Sequence, residues 1–427
     1  MQSGPAPQRD PLIWCIAIAL AFLGLVWHRL GIPSKIYFDE VHYVPAARKL
    51  LQWEMVNTEH PMLGKQILAA AISLLGDKPL SWRIPSALFG AFGLFAFGRL
   101  IWHASHRRFA TLAGMFLLAT SFAWFIQSRI AMLDMFMAAF GICGLWQVAV
   151  ALNRPARRAR WHLLAAGVLF GLSMGVKWSM APAVALPGLA MLALRFRDHG
   201  RRFIVESGTR PLPGIALWEA GIWIGLVPLA IYWATYMPGF LMPKNPIDPL
   251  QPLAWHRYMI RLQDSVTALH TYRSIWPDWV VNWRAVWYLY QEVDSAQRGV
   301  LLIGNPFSML AGLSALLWCL WAGLWRRRHD ALAFAGLYLA LLSLWIVSEK
   351  PIQFYYHYLM PGTMLMACLS LGLDDLWNRG GRWRWFALSA LGLAGAMFVW
   401  FYPIISAAML HNGKDSYAQW MWLAGWR

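Results

Sequence analysis

The sequence predicts an all-α polytopic membrane protein with about eleven transmembrane helices. Of its 427 residues, 59% are hydrophobic and 13% are charged. Long apolar runs recur along the whole length, which a soluble domain with a single core does not show. Arginines are concentrated in the short segments between the runs. Composition, run length and charge placement therefore all indicate a chain that crosses a membrane repeatedly.

A helix needs roughly 20 apolar residues to cross the hydrocarbon core. The stretches of suitable length are residues 12–30, 82–101, 109–127, 130–151, 161–177, 179–196, 214–236, 306–325, 331–347, 354–373 and 385–408. The first stretch follows a short polar N-terminus without a small-residue cleavage site. We therefore interpret it as a retained helix and not as a removed signal peptide.

The positive charge follows the membrane topology. The arginines of the chain lie mainly in alternate segments between the predicted spans, at residues 107–108, 154–160, 195–210, 326–328 and 379–384. Cytoplasmic loops carry such an excess, which predicts a cytoplasmic N-terminus and, for an odd number of spans, a C-terminus on the outer side. Although the net charge is +17, this distribution argues against nucleic-acid binding.

The four cysteines all lie inside predicted spans, at Cys15, Cys143, Cys319 and Cys368. Buried, scattered cysteines predict neither a disulfide framework nor a zinc site. No metal site is expected.

Two predicted outer segments are longer than turns. Residues 31–81 contain two apolar-periodic stretches, at 44–53 and 62–75, which predict short helices lying at the membrane interface. Residues 237–305 are rich in Trp, Tyr and Pro. Neither segment has the size of an independent domain, so we treat residues 1–427 as a single integral membrane domain.

The first outer segment begins with two adjacent carboxylates, Asp39 and Glu40, in the run Tyr37–Tyr43. A solvated loop that opens an interfacial helix would also place acids here. The aromatic neighbours, however, would partly desolvate a carboxylate and make it a better base. The pair is therefore a candidate for proton transfer at the membrane surface.

Four cations lie near the same predicted face. Pro61 suits the first turn of a helix, which places His60 near its N-cap and Lys65 one turn in, an arrangement that favours anions such as phosphate. Arg83, Arg129 and Lys177 lie at outer ends of predicted spans. Each alone is explained by snorkelling or by an ion pair, such as Arg129 with Asp134. Together they would suit a phosphate diester held at the membrane surface.

Aromatic and polar residues alternate in the second outer segment, including Trp276, Trp279 and Arg284. Aromatic faces stack on sugar C–H groups, and the polar groups bond to sugar hydroxyls. An interfacial aromatic belt explains the same composition without any ligand.

Taken in order, these segments resemble the protein O-mannosyltransferase family, a branch of the C-type membrane glycosyltransferases that use polyprenyl-phosphate sugars. The matching segments are Asp39-Glu40, His60–Lys65, Arg83, Arg129–Asp134, Gly171–Trp178, Ser274–Tyr288, Gly304–Pro306 and Phe354–Pro361. The likeness extends through most of the chain.

The resemblance implies an inverting enzyme that moves mannose from polyprenyl-phosphate-mannose to Ser or Thr hydroxyls of proteins at the outer membrane face, without a metal or another cofactor. It implies Asp39 as the general base, Glu40 as a supporting acid and Arg83 as a contact of the donor phosphate. We add Lys65, Arg129 and Lys177 as further phosphate candidates. The substrate-binding candidates are His60, Tyr43, Trp276, Trp279, Arg284 and His357.

Two departures from the family pattern matter. The second outer segment lacks the large lumenal insertion of eukaryotic members, which indicates a bacterial type in the cytoplasmic (inner) membrane with a periplasmic C-terminus. Met62 also stands where the family usually has a second Pro. One alternative keeps the donor class but has a lipid or glycan acceptor, as in the enzymes that modify lipid A. Another is a transporter or flippase, which charges at one face and the absence of a repeat disfavour.

Overall fold

The computed structural model describes residues 8–265, 270–348, 350–411 and 413–427, and these are mostly helical. In chain order the α-helices are α1 (Leu12–Trp27), α2 (Glu40–Leu51), α3 (Leu63–Leu75), α4 (Pro79–Ser105), α5 (Arg108–Ala119), α6 (Phe122–Gln127), α7 (Asp134–Ala151), α8 (Ala156–Val176), α9 (Ala181–His199), α10 (Leu217–Gly221), α11 (Val227–Ala234), α12 (Met237–Phe240), α13 (Pro252–Asp264), α14 (Trp276–Val280), α15 (Pro306–Trp325), α16 (His329–Val347), α17 (Leu359–Arg379) and α18 (Arg382–Ile405). A π-helical segment, Ile222–Leu226, joins α10 to α11.

Nine helices in the described ranges are long and apolar enough to cross a membrane. They are Pro79–Ser105, Asp134–Ala151, Ala156–Val176, Trp178–Arg202, Leu217–Ala234, Pro306–Trp325, His329–Val347, Tyr355–Arg379 and Arg382–Ile405. Each coincides with one of the spans predicted from the sequence. The count of eleven stays a prediction, because the other two stretches form shorter helices.

The first of those two stretches is the 16-residue helix α1. The second breaks into α5 and α6 at Thr120, whose hydroxyl donates to the carbonyl of Phe116 at 2.9 Å. The next residue, Ser121, is extended. A threonine hydroxyl that bonds back to the preceding turn competes with the helical ladder and favours such a break.

Three glycines on α8 allow close packing against the helix that ends at Ala234. A Cβ on Gly167 would lie 2.0 Å from the carbonyl oxygen of Trp223, and one on Gly171 would lie 2.7 Å from the carbonyl oxygen of Pro228. Small residues every fourth position let membrane helices approach in this way. The Gly171-x-x-x-Gly175 motif thus serves helix packing, and it places Lys177 just beyond the end of α8.

The second outer segment contains a β-hairpin that the all-α prediction did not include. Strands β1 (Val286–Val293) and β2 (Ala296–Leu302) pair antiparallel. The turn residues Asp294 and Ser295 both have positive φ, +51° and +56°, as a two-residue type I′ turn requires. The aromatic and β-branched run of β1 favours a strand, so a signal was present in the sequence.

Candidate active site

Asp39 caps the N-terminus of α2, and its carboxylate is half-buried. This carboxylate forms no hydrogen bond with any of the residues described. Burial raises its pKa to about 6, an effect that Lys177 and His42 oppose and Asp134 reinforces, with a further lowering by Lys350. An unpaired carboxylate with this pKa is ionised at neutral pH and accepts a proton more readily than a solvated one.

Glu40 points away from that position into a fully buried ion pair with Arg83. The Arg83 Nε donates to Glu40 Oε1 at 2.8 Å and its Nη2 donates to Oε2 at 2.9 Å. The backbone amide of Ala131 also donates to Oε1, at 2.9 Å. Glu40 therefore joins α2, α4 and the segment before α7.

The remaining N–H groups of Arg83 donate to backbone carbonyls, namely those of Leu30, Pro33 and Lys35. A guanidinium has five N–H donors, and all five of Arg83 are occupied. This conformation leaves no donor for a phosphate, so the phosphate role expected for Arg83 stays a prediction that the geometry does not support.

Two of the other expected phosphate contacts are also bonded to carbonyls. Arg129 is buried and donates to the carbonyls of Val26 and His28 at 2.6 and 2.8 Å, at the C-terminal end of α1. Lys65 is buried and donates to the carbonyls of His60, at 2.9 Å, and Asn57. These contacts satisfy free carbonyls at a helix end and in a loop.

Lys177 lies against an acid and an aromatic ring. Its Nζ donates to Asp134 Oδ1 at 2.8 Å and lies 5.0 Å from the ring centroid of Tyr356. The partner of Asp134 is thus Lys177 and not Arg129, the pair considered from the sequence. Asp134 Oδ2 is buried and has no hydrogen-bond partner in the described part of the chain.

Three of the expected substrate-binding residues surround these charges. Burial, with Lys177, holds the pKa of His60 well below its usual range, so His60 is neutral. The ring of Tyr43 lies 6.2 Å from that of His60. His357 is buried, its Nδ1 accepts from the amide of Phe354 at 3.1 Å, and its Nε2 has no partner among the residues described.

The aromatic loop contributes unequally. Trp279 is fully buried, donates to Ser274 Oγ at 2.8 Å and lies 5.9 Å from the ring of His357. Trp276 is half-buried against the core. Arg284 is exposed and donates to the carbonyl of Thr271. The structure thus brings Trp279 to the site through His357, whereas Arg284 contacts its own loop.

Known proteins resemble this chain in sequence. A family model described as dolichyl-phosphate-mannose-protein mannosyltransferase matches residues 59–218. The polyprenol-phosphate-mannose–protein mannosyltransferase of Mycolicibacterium smegmatis is 26% identical over 99% of this chain and 95% of the relative. The chain is thus similar to protein O-mannosyltransferases over nearly its whole length. It is therefore a glycosyltransferase.

Solved structures show the same fold. A chain of the S. cerevisiae protein O-mannosyltransferase complex bound to the sugar donor gives a TM-score of 0.83 at 13% identity, covering 98% of this chain and 93% of that chain. ArnT from Cupriavidus metallidurans, bound to undecaprenyl phosphate, gives 0.60 at 15% identity, covering 95% and 67%. The prediction of a multi-pass C-type glycosyltransferase fold is thus confirmed.

The sequence analysis did not single out Lys350. Burial and the nearby charge of Lys177 lower its pKa to about 8, while Asp134, Asp39 and Glu59 oppose that shift. No hydrogen bond to a carboxylate is found for it within the described ranges. Lys350 precedes the aromatic run that carried the resemblance, but a single lysine near a span end gives no signal of its own.

Proposed function

We propose that this enzyme transfers mannose from polyprenyl-phosphate-mannose to Ser or Thr hydroxyls of proteins. The reaction takes place at the outer, periplasmic face of a bacterial inner membrane, with the N-terminus in the cytoplasm. The names of relatives that match nearly the whole chain support this donor and a protein acceptor. The arginine distribution supports the orientation.

The observation that carries the proposal is the unpaired carboxylate of Asp39 beside two lysines. The carboxylate of its neighbour Glu40 is bonded to Arg83, whereas the carboxylate of Asp39 has no hydrogen-bond partner in the described part of the chain. Lys177 and Lys350 both act on its charge. A base and a cationic surface at one position suit a displacement that releases an anion.

In the proposed step, the acceptor hydroxyl oxygen forms a bond to the anomeric carbon of mannose while its proton passes to Asp39. The bond between that carbon and the phosphate oxygen breaks, and its electron pair leaves with the polyprenyl phosphate. The nucleophile and the leaving group are on opposite faces of the anomeric carbon. A single displacement of this kind inverts the configuration.

We assign the leaving phosphate to Lys350, with Lys177 as its neighbour. Arg83, Arg129 and Lys65 are already bonded to Glu40 or to carbonyls, and Lys177 is shared with Asp134. Lys350 is the described cation acting on Asp39 that has no carboxylate bonded to it. Glu40, Arg83 and Arg129 then position the loop and helix ends around the site.

Neutral and unpaired polar groups are the candidates for binding the sugar. His60 is uncharged, and His357 Nε2 and Asp134 Oδ2 are buried without partners among the described residues. Buried polar atoms are normally hydrogen-bonded, so these two atoms have capacity for sugar hydroxyls. The buried Trp279 supports the ring of His357 instead of stacking on an open sugar face.

The test uses the full-length protein purified and reconstituted in vesicles, with radiolabelled polyprenyl-phosphate-mannose. A Ser/Thr peptide, the same peptide with alanines, and a lipid acceptor are compared. We expect label on the Ser/Thr peptide alone, with inverted anomeric configuration. Transfer to the lipid but not to the peptide would contradict the acceptor, and no transfer from this donor to any acceptor would contradict the donor.

A further inference from the structure

The β1–β2 hairpin contacts residues 34–38, the segment immediately before Asp39, at both ends of that segment. The ring of Phe38 stacks on Tyr288, with centroids 3.8 Å apart and planes at 17°. At the other end, the amide of Ser34 donates to Asp294 Oδ2 at 2.9 Å and its hydroxyl donates to Oδ1. One hairpin thus holds residues 34–38 immediately before the proposed base.

The hairpin is itself fixed to the membrane-embedded helices. The hydroxyl of Tyr288 accepts a hydrogen bond from Gln127, the last residue of α6, at 3.1 Å. Arg298 is buried and donates to the carbonyl of Asp294 in the turn and to that of Ala407, just beyond α18. The hairpin therefore connects residues 34–38 to α6 and to the end of α18.

Phe38 needs such support because its backbone is in the left-handed region, with φ of +49°. A bulky residue is rarely found there, and the conformation persists only where the surroundings impose it. Asp39 is the next residue, and its carboxylate has no hydrogen bond of its own in the described part of the chain. Its placement therefore depends on the Phe38 backbone.

We propose that Tyr288 is a positioning residue for the transfer reaction: its ring holds Phe38 in the left-handed conformation and so fixes the carboxylate of Asp39. This inference rests on the proposed function, in which Asp39 is the base. Asp294 supports the same loop from its other end by bonding Ser34. The hairpin thus holds the loop before Asp39 at two points and fixes the position of the base.

The position of Asp39 also sets its charge environment. Groups from several elements face it or lie close by, namely His42 and Tyr43 of α2, Asp134 of α7, Lys177 after α8, Lys350 and Tyr356 before α17, and Tyr288 of β1. Burial is the main cause of its raised pKa. A carboxylate released into water would return toward its ordinary pKa.

The test compares Tyr288→Leu with Tyr288→Phe in the full-length enzyme, using polyprenyl-phosphate-mannose and a Ser/Thr peptide. We expect Tyr288→Leu to lower kcat by roughly 10²-fold, since a displacement of about 1 Å costs that much, with little change in the KM for the donor. The acid limb of its kcat profile should move to lower pH. Tyr288→Phe keeps the stack and should retain most of the turnover.

Wild-type kcat and pH profile in Tyr288→Leu would overturn the inference, as would equal losses in both variants, because the hydroxyl and not the stack would then matter. Thermal unfolding of the same samples reports folding. If Tyr288→Leu does not fold, the same comparison is made with Asp294→Ala, at a partly exposed turn; unchanged kcat and pH profile there would also overturn it. Asp39→Asn is run in parallel, since activity in that variant would contradict the proposed function itself.

Discussion

Replacing a carboxylate by the corresponding amide should have opposite effects at the adjacent residues Asp39 and Glu40: it should lower turnover at the first and stability at the second. Glu40→Gln removes the charge that faces Arg83 while keeping the side-chain shape. Glu40 is fully buried and accepts from Arg83 at 2.8 and 2.9 Å, and also from the amides of Ala131 and Tyr37. The substitution leaves a buried guanidinium without a counter-charge.

Removing one partner of a buried ion pair costs about 3–5 kcal/mol. Since native proteins are stable by only about 5–15 kcal/mol, Glu40→Gln should lose a large part of the folding free energy. Asp39→Asn is the matched control, because the carboxylate of Asp39 has no hydrogen-bond partner among the described residues. We expect it to retain stability but to lose roughly 10²–10⁴-fold in turnover, as loss of a general base does.

The assay measures thermal unfolding and the yield of monodisperse protein for both variants, and then turnover per folded molecule. The expected pattern is a destabilised Glu40→Gln and a stable, inactive Asp39→Asn. Wild-type stability in Glu40→Gln would refute the reading of the ion pair. Parallel loss of stability and activity in Asp39→Asn would refute the division of roles between the two carboxylates.

Three further predictions concern charge and topology. Turnover should peak between pH 6 and pH 8, because the base form of Asp39 is lost as pH falls through about 6 and the cation of Lys350 is lost as pH rises through about 8. Turnover that falls neither below pH 6 nor above pH 8 would contradict both assignments. Lys350→Gln should weaken donor binding and turnover together, Lys350→Arg should restore part of both, and the exposed Lys244→Gln should change neither, as measured with labelled donor. Reporter fusions should place the N-terminus in the cytoplasm and the C-terminus in the periplasm; a cytoplasmic C-terminus would mean an even number of spans.

The helices could be predicted because the signal for them is local. A run of apolar residues must cross the bilayer as a helix wherever it occurs, and the nine long spans follow from that. The break at Thr120 and the hairpin were missed since each depends on weaker local preferences. Asp294-Ser295 is not the Asn-Gly or Asp-Gly pair that marks such turns most clearly.

The partners of charged groups could not be predicted, because they come from distant parts of the chain. Glu40 and Arg83 are 43 positions apart, as are Asp134 and Lys177. Sequence proximity favoured Arg129 as the partner of Asp134, but Arg129 bonds to carbonyls at the C-terminal end of α1. A guanidinium that satisfies a helix end and one that awaits a phosphate look alike in a sequence.

These pairings explain how many charges can be packed at one place while few remain for chemistry. Arg83 is neutralised by Glu40 and Lys177 by Asp134, and Arg129 and Lys65 are held by carbonyls. Charged groups are costly to bury unless they are paired. The pairing of these groups also fixes the helices and loops that surround the site. Among the carboxylates and lysines at this position in the described ranges, those whose side-chain charge has no hydrogen-bond partner are Asp39 and Lys350. A displacement that needs one proton acceptor and one cation for the leaving phosphate requires no more than these two, held apart by a scaffold whose own charges are already satisfied.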